Sequence, residues 1–345
     1  MDDSDLISYV GITPLYDFIC DNSELRLDET FVIREYDAAL TKAFLSSDDV
    51  FLRSLSALPP NYLLFHSPPF STADVEHFAK TWDTSSPFSD PVNVTFFQPT
   101  LRFFRLLRLF RSGRLRGGDT FVVASHLRHE REEWRTLFSH RCTRMIIDPF
   151  IPPKYPATYS LRSTDAQLFA SFRNQVSPIL ERMAQNDKLF PSLELAFDLY
   201  AREDFEDVEI VNSLTALEAM LLNDSKSELT YRLSMRVAHL LGTDGETRKK
   251  LFGDMKEFYD LRSTIVHGSP IKPKHHSRMA KSDDLREIVR VVLLTVLMLI
   301  GEGMNKLRID QLLDEIIFDD ALRLQVLKSA LELQVSLYPP PVRVQ

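Results

Sequence analysis

Residues 258–269 read FYDLRSTIVHGS. An amphipathic run carries Arg262 and, five positions on, His267, then meets Gly268 and Pro270. Glycine just past a last helical turn, with proline soon after, is a stop signal, so the run predicts the end of a helix over about 246–266. Arginine presents a planar fork that matches phosphate oxygens, and histidine titrates near about 6.5, where it can take or give a proton. Together they suit phosphodiester cleavage without a metal. One group steadies the charge developing on phosphorus, and the other handles the protons of the ribose 2′-OH and the leaving oxygen.

Spacing alone carries little weight. Arg135 and His140 in RTLFSH repeat it, and Arg232 and His239 form a looser pair. Five residues turn an ideal helix through about 500°, leaving Arg262 and His267 roughly 140° apart. Either the helix end or a second chain facing the first would have to bring the two to one phosphate.

Working outward, residues from about 163 read as 3.6-period segments. Helices are expected over 166–185, 191–203, 206–222, 228–241, 246–266, 283–305 and 308–335, the last interrupted. Ser163, Thr164 and Asp165 offer an N-cap to the first, and Gly242 stops the fourth. Upstream, prolines punctuate short runs rich in β-formers: FVIRE (31–35), VNVTFF (92–97), TFVVAS (120–125) and RMIID (144–148). The expected organisation is a mixed α+β domain over 1–160, an all-α helical bundle over 161–338 and a tail at 339–345, with PFIPPKYPATYS (149–160) as linker.

Three segments in succession carry a resemblance: IVNSLTALEAMLL (210–222), SELTYRLSMRVAHLLG (227–242) and KKLFGDMKEFYDLRSTIVHG (249–268). Their order and spacing resemble the HEPN superfamily, and within it the Apea-like branch, over about residues 165–335. The resemblance implies a HEPN helical bundle that dimerises, a metal-independent endoribonuclease activity, and a role as toxin or effector in bacterial anti-phage defence by abortive infection. It places Arg262, Ser263 and His267 at the catalytic positions: His267 as acid/base, Arg262 as phosphate stabiliser, Ser263 as a supporting polar contact. Two copies across a two-fold axis would remove the 140° difficulty, with an interface on the helix near Phe258 and Ile265. A silent HEPN module for dimerisation, RNA binding or partner recognition is the alternative. The branch's toxins that pair with nucleotidyltransferases carry Tyr two positions after the histidine. Ser269 stands there in this chain, so nucleotidylation at that position is not expected.

Further candidates lie around this pair. Glu218 interrupts an apolar helix and either orients Arg262 or His267 or, more simply, lies on a solvated face or forms an ion pair with Arg232. Arg232 and Arg236, four apart, are candidate RNA contacts or structural pairs. IKPKHHSRMAK (271–281) reads as a basic loop in which Lys272, Lys274, His275 and Arg278 would hold RNA phosphates. RFFRLLRLFRSGRLRGG (102–118) spaces arginines by three between apolar pairs.

Charge divides unevenly. Thirteen Lys and Arg face five Asp and Glu between Pro91 and Ser163, a net of +8 against −8 for the whole chain and hence −16 for the rest. This suits attraction between the two halves and argues against non-specific coating of nucleic acid. Two cysteines, Cys20 and Cys142, are too few for a disulfide framework or a cysteine zinc site, and no metal or cofactor is expected. The acidic start MDDSDLISYV lacks a leader pattern, and the longest apolar run, VVLLTVLMLI (291–300), is half a membrane span. The expected setting is cytoplasmic, with RNA as substrate, a homodimer as assembly and a phage-derived trigger sensed by the N-terminal domain.

Overall fold

The computed structural model describes residues 7–37, 60–68, 93–118, 120–126, 159–185, 190–201, 206–222, 228–271, 273–326 and 328. The chain divides into two compact units, Met1–Ala170 and Ser171–Gln345.

The first unit is built on an antiparallel sheet. Its strands are β1 (Ile7–Tyr16), β3 (Glu24–Arg26), β4 (Phe31–Glu35), β5 (Tyr62–His66), β6 (Arg116–Gly117) and β7 (Phe121–His126), ordered β3-β4-β5-β1-β6 with β7 also on β1. FVIRE and the run at 120–125 form the expected strands. β1 and β5 do not announce themselves, because Pro14 and Gly11 interrupt the first and prolines crowd the second. The fold accommodates Pro14 at a join. β7 pairs with Ile7–Ile12 and β6 with Leu15 and Tyr16, so positions 13 and 14 fall between two partners. The Pro14 carbonyl accepts from Gly118 N–H at 2.9 Å, so its missing N–H points towards that same join and breaks no ladder bond.

One face of this sheet is covered by aromatics from α1 (Gln98–Phe110) and the π-helical turn Asn93–Phe97 before it. The run VNVTFF, expected as a strand, therefore opens a helix. A short apolar run fits either period, and here Phe96 and Phe97 are both buried, Phe96 against Gly11 and His66 of the sheet. Phe103 stacks on Phe31 at 3.9 Å, and Phe31 stacks on His66 at 4.2 Å. Three arginines between 102 and 118 are drawn into their own unit. Arg108 is buried and donates to Leu115 O, Arg111 pairs with Asp165 at 2.6 Å and Arg116 with Asp17 at 3.0 Å. A parallel pair, β2 (Phe18–Cys20) with β8 (Tyr159–Leu161), and the Arg111–Asp165 bridge fasten the chain to the first unit as far as the start of α2 (Asp165–Gln185). RMIID, Arg135, His140 and the tail at 339–345 lie outside the described residues.

The second unit is helical: α3 (Leu193–Ala201), α4 (Glu206–Leu221), α5 (Leu229–Leu241), α6 (Gly245–Val266), α7 (Pro273–Met279), α8 (Ser282–Gly301) and α9 (Lys306–Phe318), with residues 320–326 helical again. α8 is its axis. Leu293, Leu297 and Ile300 are buried along with most of its length, and Thr295 satisfies its hydroxyl on Val291 O at 2.8 Å. α4 contributes Leu214, Leu217, Met220 and Leu221 to the same core. The apolar runs LTALEAMLL (214–222) and VVLLTVLMLI (291–300) are thus used inside the unit. Phe258, expected near an interface, is buried too: Met255, Phe258 and Leu261 form the narrow inward stripe of α6. No helix among the described residues is long and apolar enough to cross a membrane.

Candidate active site

α6 begins with a reciprocal cap. The Asp244 carboxylate accepts from Thr247 N–H at 2.8 Å, while Asp244 N–H donates to the Thr247 hydroxyl at 3.0 Å. The Thr247 N–H also holds the Asp244 carboxyl below its usual range. The helix ends as abruptly as it starts. Gly268 adopts a left-handed φ of +63°, its N–H donates to Ile265 O at 3.0 Å, and Ser269 N–H reaches back to Thr264 O at 3.0 Å. That pair of bonds is the Schellman stop, and it leaves His267 as the last residue before the turn, exposed to solvent together with Ser263.

Arg262 sits one turn earlier on α6 in a different environment. Its Nη2 donates to Glu218 Oε2 at 3.2 Å, and its guanidinium carbon lies 5.3 Å from the centre of the Tyr259 ring. The Tyr259 hydroxyl donates to Glu218 Oε1 at 2.6 Å. Arg262 and Glu218 are 24 % and 20 % exposed, so the pair is half-sheltered, neither sealed off nor free in solvent. Arg262 Nε is buried without a hydrogen-bond partner, an unfilled donor on a fixed fork. Partial burial, then the neighbouring Glu218 carboxylate, push the Tyr259 phenol up to about 12. Glu218 therefore engages Arg262, where the simpler expectation had been Arg232. Tyr259, unremarked in the sequence, turns out to share that carboxylate. Its place three positions before Arg262, hence beside it on the helix, was the available signal.

The outer candidates fare differently. Arg236 is 1 % exposed, bonded to Asp310 at 2.5 Å, Asp314 at 2.6 Å and the Leu221 carbonyl. It is a buried tie between α5, α4 and α9, with no guanidinium edge offered to a phosphate. Arg232, four residues earlier, is half-buried. The expected basic loop after Pro270 is largely the helix α7, started by Pro273. His275 is buried in it, and Arg278 spans to Asp254 at 2.9 Å and to Glu257, with its guanidinium 4.9 Å from the Phe258 ring centre. Arg278 thereby clamps α7 to α6. Lys272 lies outside the described residues, as does the side chain of Lys274. No group of three or more His, Cys, Asp or Glu among the described residues is placed to hold a metal ion.

No protein-family model, curated protein or solved structure matches this chain.

Proposed function

We propose that the helical unit is an endoribonuclease of the HEPN type, acting without metal and serving as an effector of anti-phage defence. The biological role rests on the sequence resemblance alone. The chemistry rests on one observation: a partly exposed arginine held by Glu218 and Tyr259 stands on the same last stretch of helix as an exposed, helix-terminating histidine. In the proposed reaction, His267 takes the proton of a ribose 2′-OH as that oxygen attacks phosphorus. The bond to the 5′ oxygen breaks, and that oxygen receives a proton from His267 of the partner subunit. Arg262 stabilises the added negative charge, with Ser263 beside it. The products are a 2′,3′-cyclic phosphate and a free 5′-OH. A homodimer supplies the second histidine and overcomes the angular separation of Arg262 and His267 on one helix.

The test is cleavage of single-stranded RNA by the full chain and by His267→Ala, with EDTA present. Loss of roughly 10²- to 10⁴-fold in rate with unchanged folding is expected for a general acid/base. Undiminished cleavage by the variant removes His267 from the mechanism, and activity that needs added Mg²⁺ overturns the chemistry.

The ion pair to Glu218 also favours a second reading, a silent module in which Arg262 is structural. Glu218→Gln separates them. A structural pair loses stability alone, whereas an active site loses rate at saturating RNA in protein that is still folded.

A further inference from the structure

The start of α5 and the middle of α6 border an open depression of about 610 Å³, lined by Glu228, Leu229, Thr230, Tyr231 and Tyr259. Tyr259 is a shared wall, since Arg262 lies over the same ring. Tyr231 is 53 % exposed, and it meets Phe252 as a T-shaped pair at 5.7 Å. In either sense of such a pair, at least one face of the Tyr231 ring stays uncovered by Phe252. Lys256 adds a cation 5.6 Å from the Phe252 ring centre. Phe252, Lys256, Tyr259 and Ser263 recur at intervals of four, three and four, which sets them along one stripe of α6. Aromatic faces thus alternate with cations from Tyr231 to the Arg262 site.

We propose that this depression binds an unpaired guanine of single-stranded RNA, stacked on Tyr231 and read by Glu228, in the nucleotide next to the phosphate at Arg262. The inference rests on the ribonuclease reading of Arg262 and His267. Exposed rings interleaved with cations are the pattern that holds single strands, bases on the rings and phosphates on the cations. The volume lies within the range of small-ligand sites. Glu228 decides what enters: its carboxylate repels a phosphate and accepts N–H groups. Guanine alone carries two adjacent donors, N1–H and the N2 amine, matching the two carboxylate oxygens. In a duplex that edge is already paired, so the strand must be single.

The experiment measures fluorescence anisotropy of the full chain with labelled 2′-O-methyl hexamers, which lack the attacking 2′-OH. One is all uridine and the other has a single guanosine; cleavage of the matching 2′-OH hexamers is followed in parallel. The guanosine hexamer should bind about tenfold more tightly, with Tyr231→Ala losing about tenfold and the preference while Tyr231→Phe keeps both. Glu228→Gln should erase the preference yet keep the binding common to both hexamers. Equal binding of the two hexamers, or binding indifferent to Tyr231→Ala, overturns the subsite; cleavage persisting alongside leaves the ribonuclease standing. Tyr231-dependent guanosine binding without any cleavage supports the subsite and removes the nuclease. Binding of neither hexamer, with neither 2′-OH hexamer cleaved, overturns both.

Discussion

The Tyr259 hydroxyl donates to Oε1 of Glu218 at 2.6 Å, and the other oxygen of that carboxylate takes Arg262 at 3.2 Å. One acid on α4 therefore aligns two residues on neighbouring positions of α6. Tyr259→Phe keeps the ring beneath Arg262 and deletes only the donor. A hydrogen bond to a partly sheltered carboxylate is worth on the order of 1 kcal/mol, and a loss of that size is expected in urea unfolding. The alkaline limb should change as well. The phenol titrates at about 12 folded against 10.0 unfolded, so the folded chain holds a proton the unfolded one has released. This contribution is complete below pH 10, fades as pH rises towards 12, and should be missing from the variant.

His66 makes the first unit sensitive to acid. It is 4 % exposed, stacked on Phe31 at 4.2 Å, and its Nδ1 has no hydrogen-bond partner. Burial lowers its titration from 6.5 to about 4, against a smaller opposing hydrogen bond with the Phe96 backbone. Above pH 6.5 both states are neutral and stability is complete. As pH falls through that value towards 4, the unfolded chain gains a proton that the folded one refuses. The loss approaches about 3 kcal/mol at about 1.4 kcal/mol per unit. Urea titrations at pH 7 and 4.5 should show a larger acid loss for the native chain than for His66→Phe.

Arg236 is expected to be a stability residue. Replacing it with Met takes the buried guanidinium away from the Leu221 carbonyl and from Asp310, and removal of one partner from a buried pair costs about 3 kcal/mol. Denaturation midpoints should fall by a corresponding amount, while any RNA binding per folded molecule stays unchanged. A selective loss of RNA affinity in folded Arg236→Met would contradict the placement.

At Gly268 the expectation concerns backbone alone. Its φ is +63° and an added Cβ would meet nothing within 4 Å. Gly268→Ala should cost about 1 kcal/mol through left-handed strain, and Gly268→Asn less. Amide exchange at position 268 and at Ser269 should accelerate in the alanine variant, because the two bonds closing the helix depend on that turn.

The helices of the second unit were readable because their signals are local. Asp244, Gly268 and Pro270 act on neighbouring backbone, so the span expected at 246–266 is Gly245–Val266. β4 is legible for the same reason, its Phe31, Val32 and Ile33 all favouring an extended chain. Arg262 and His267 could be picked out by chemistry and Ser263 by resemblance, and the structure has Arg262 and Ser263 on the final turns of α6 with His267 at its C-cap. What the tertiary structure alone decided are the relations between distant positions. Glu218 and Arg262 stand 44 residues apart, and Arg236 and Asp314 stand 78 apart. No periodicity says which carboxylate a guanidinium will meet. Pro14 in a central strand, a π turn where β-branched residues suggested a strand, and a basic segment folded as α7 share that cause. Each local preference is worth about 1 kcal/mol or less, and burial of a few aromatic or aliphatic side chains outweighs it.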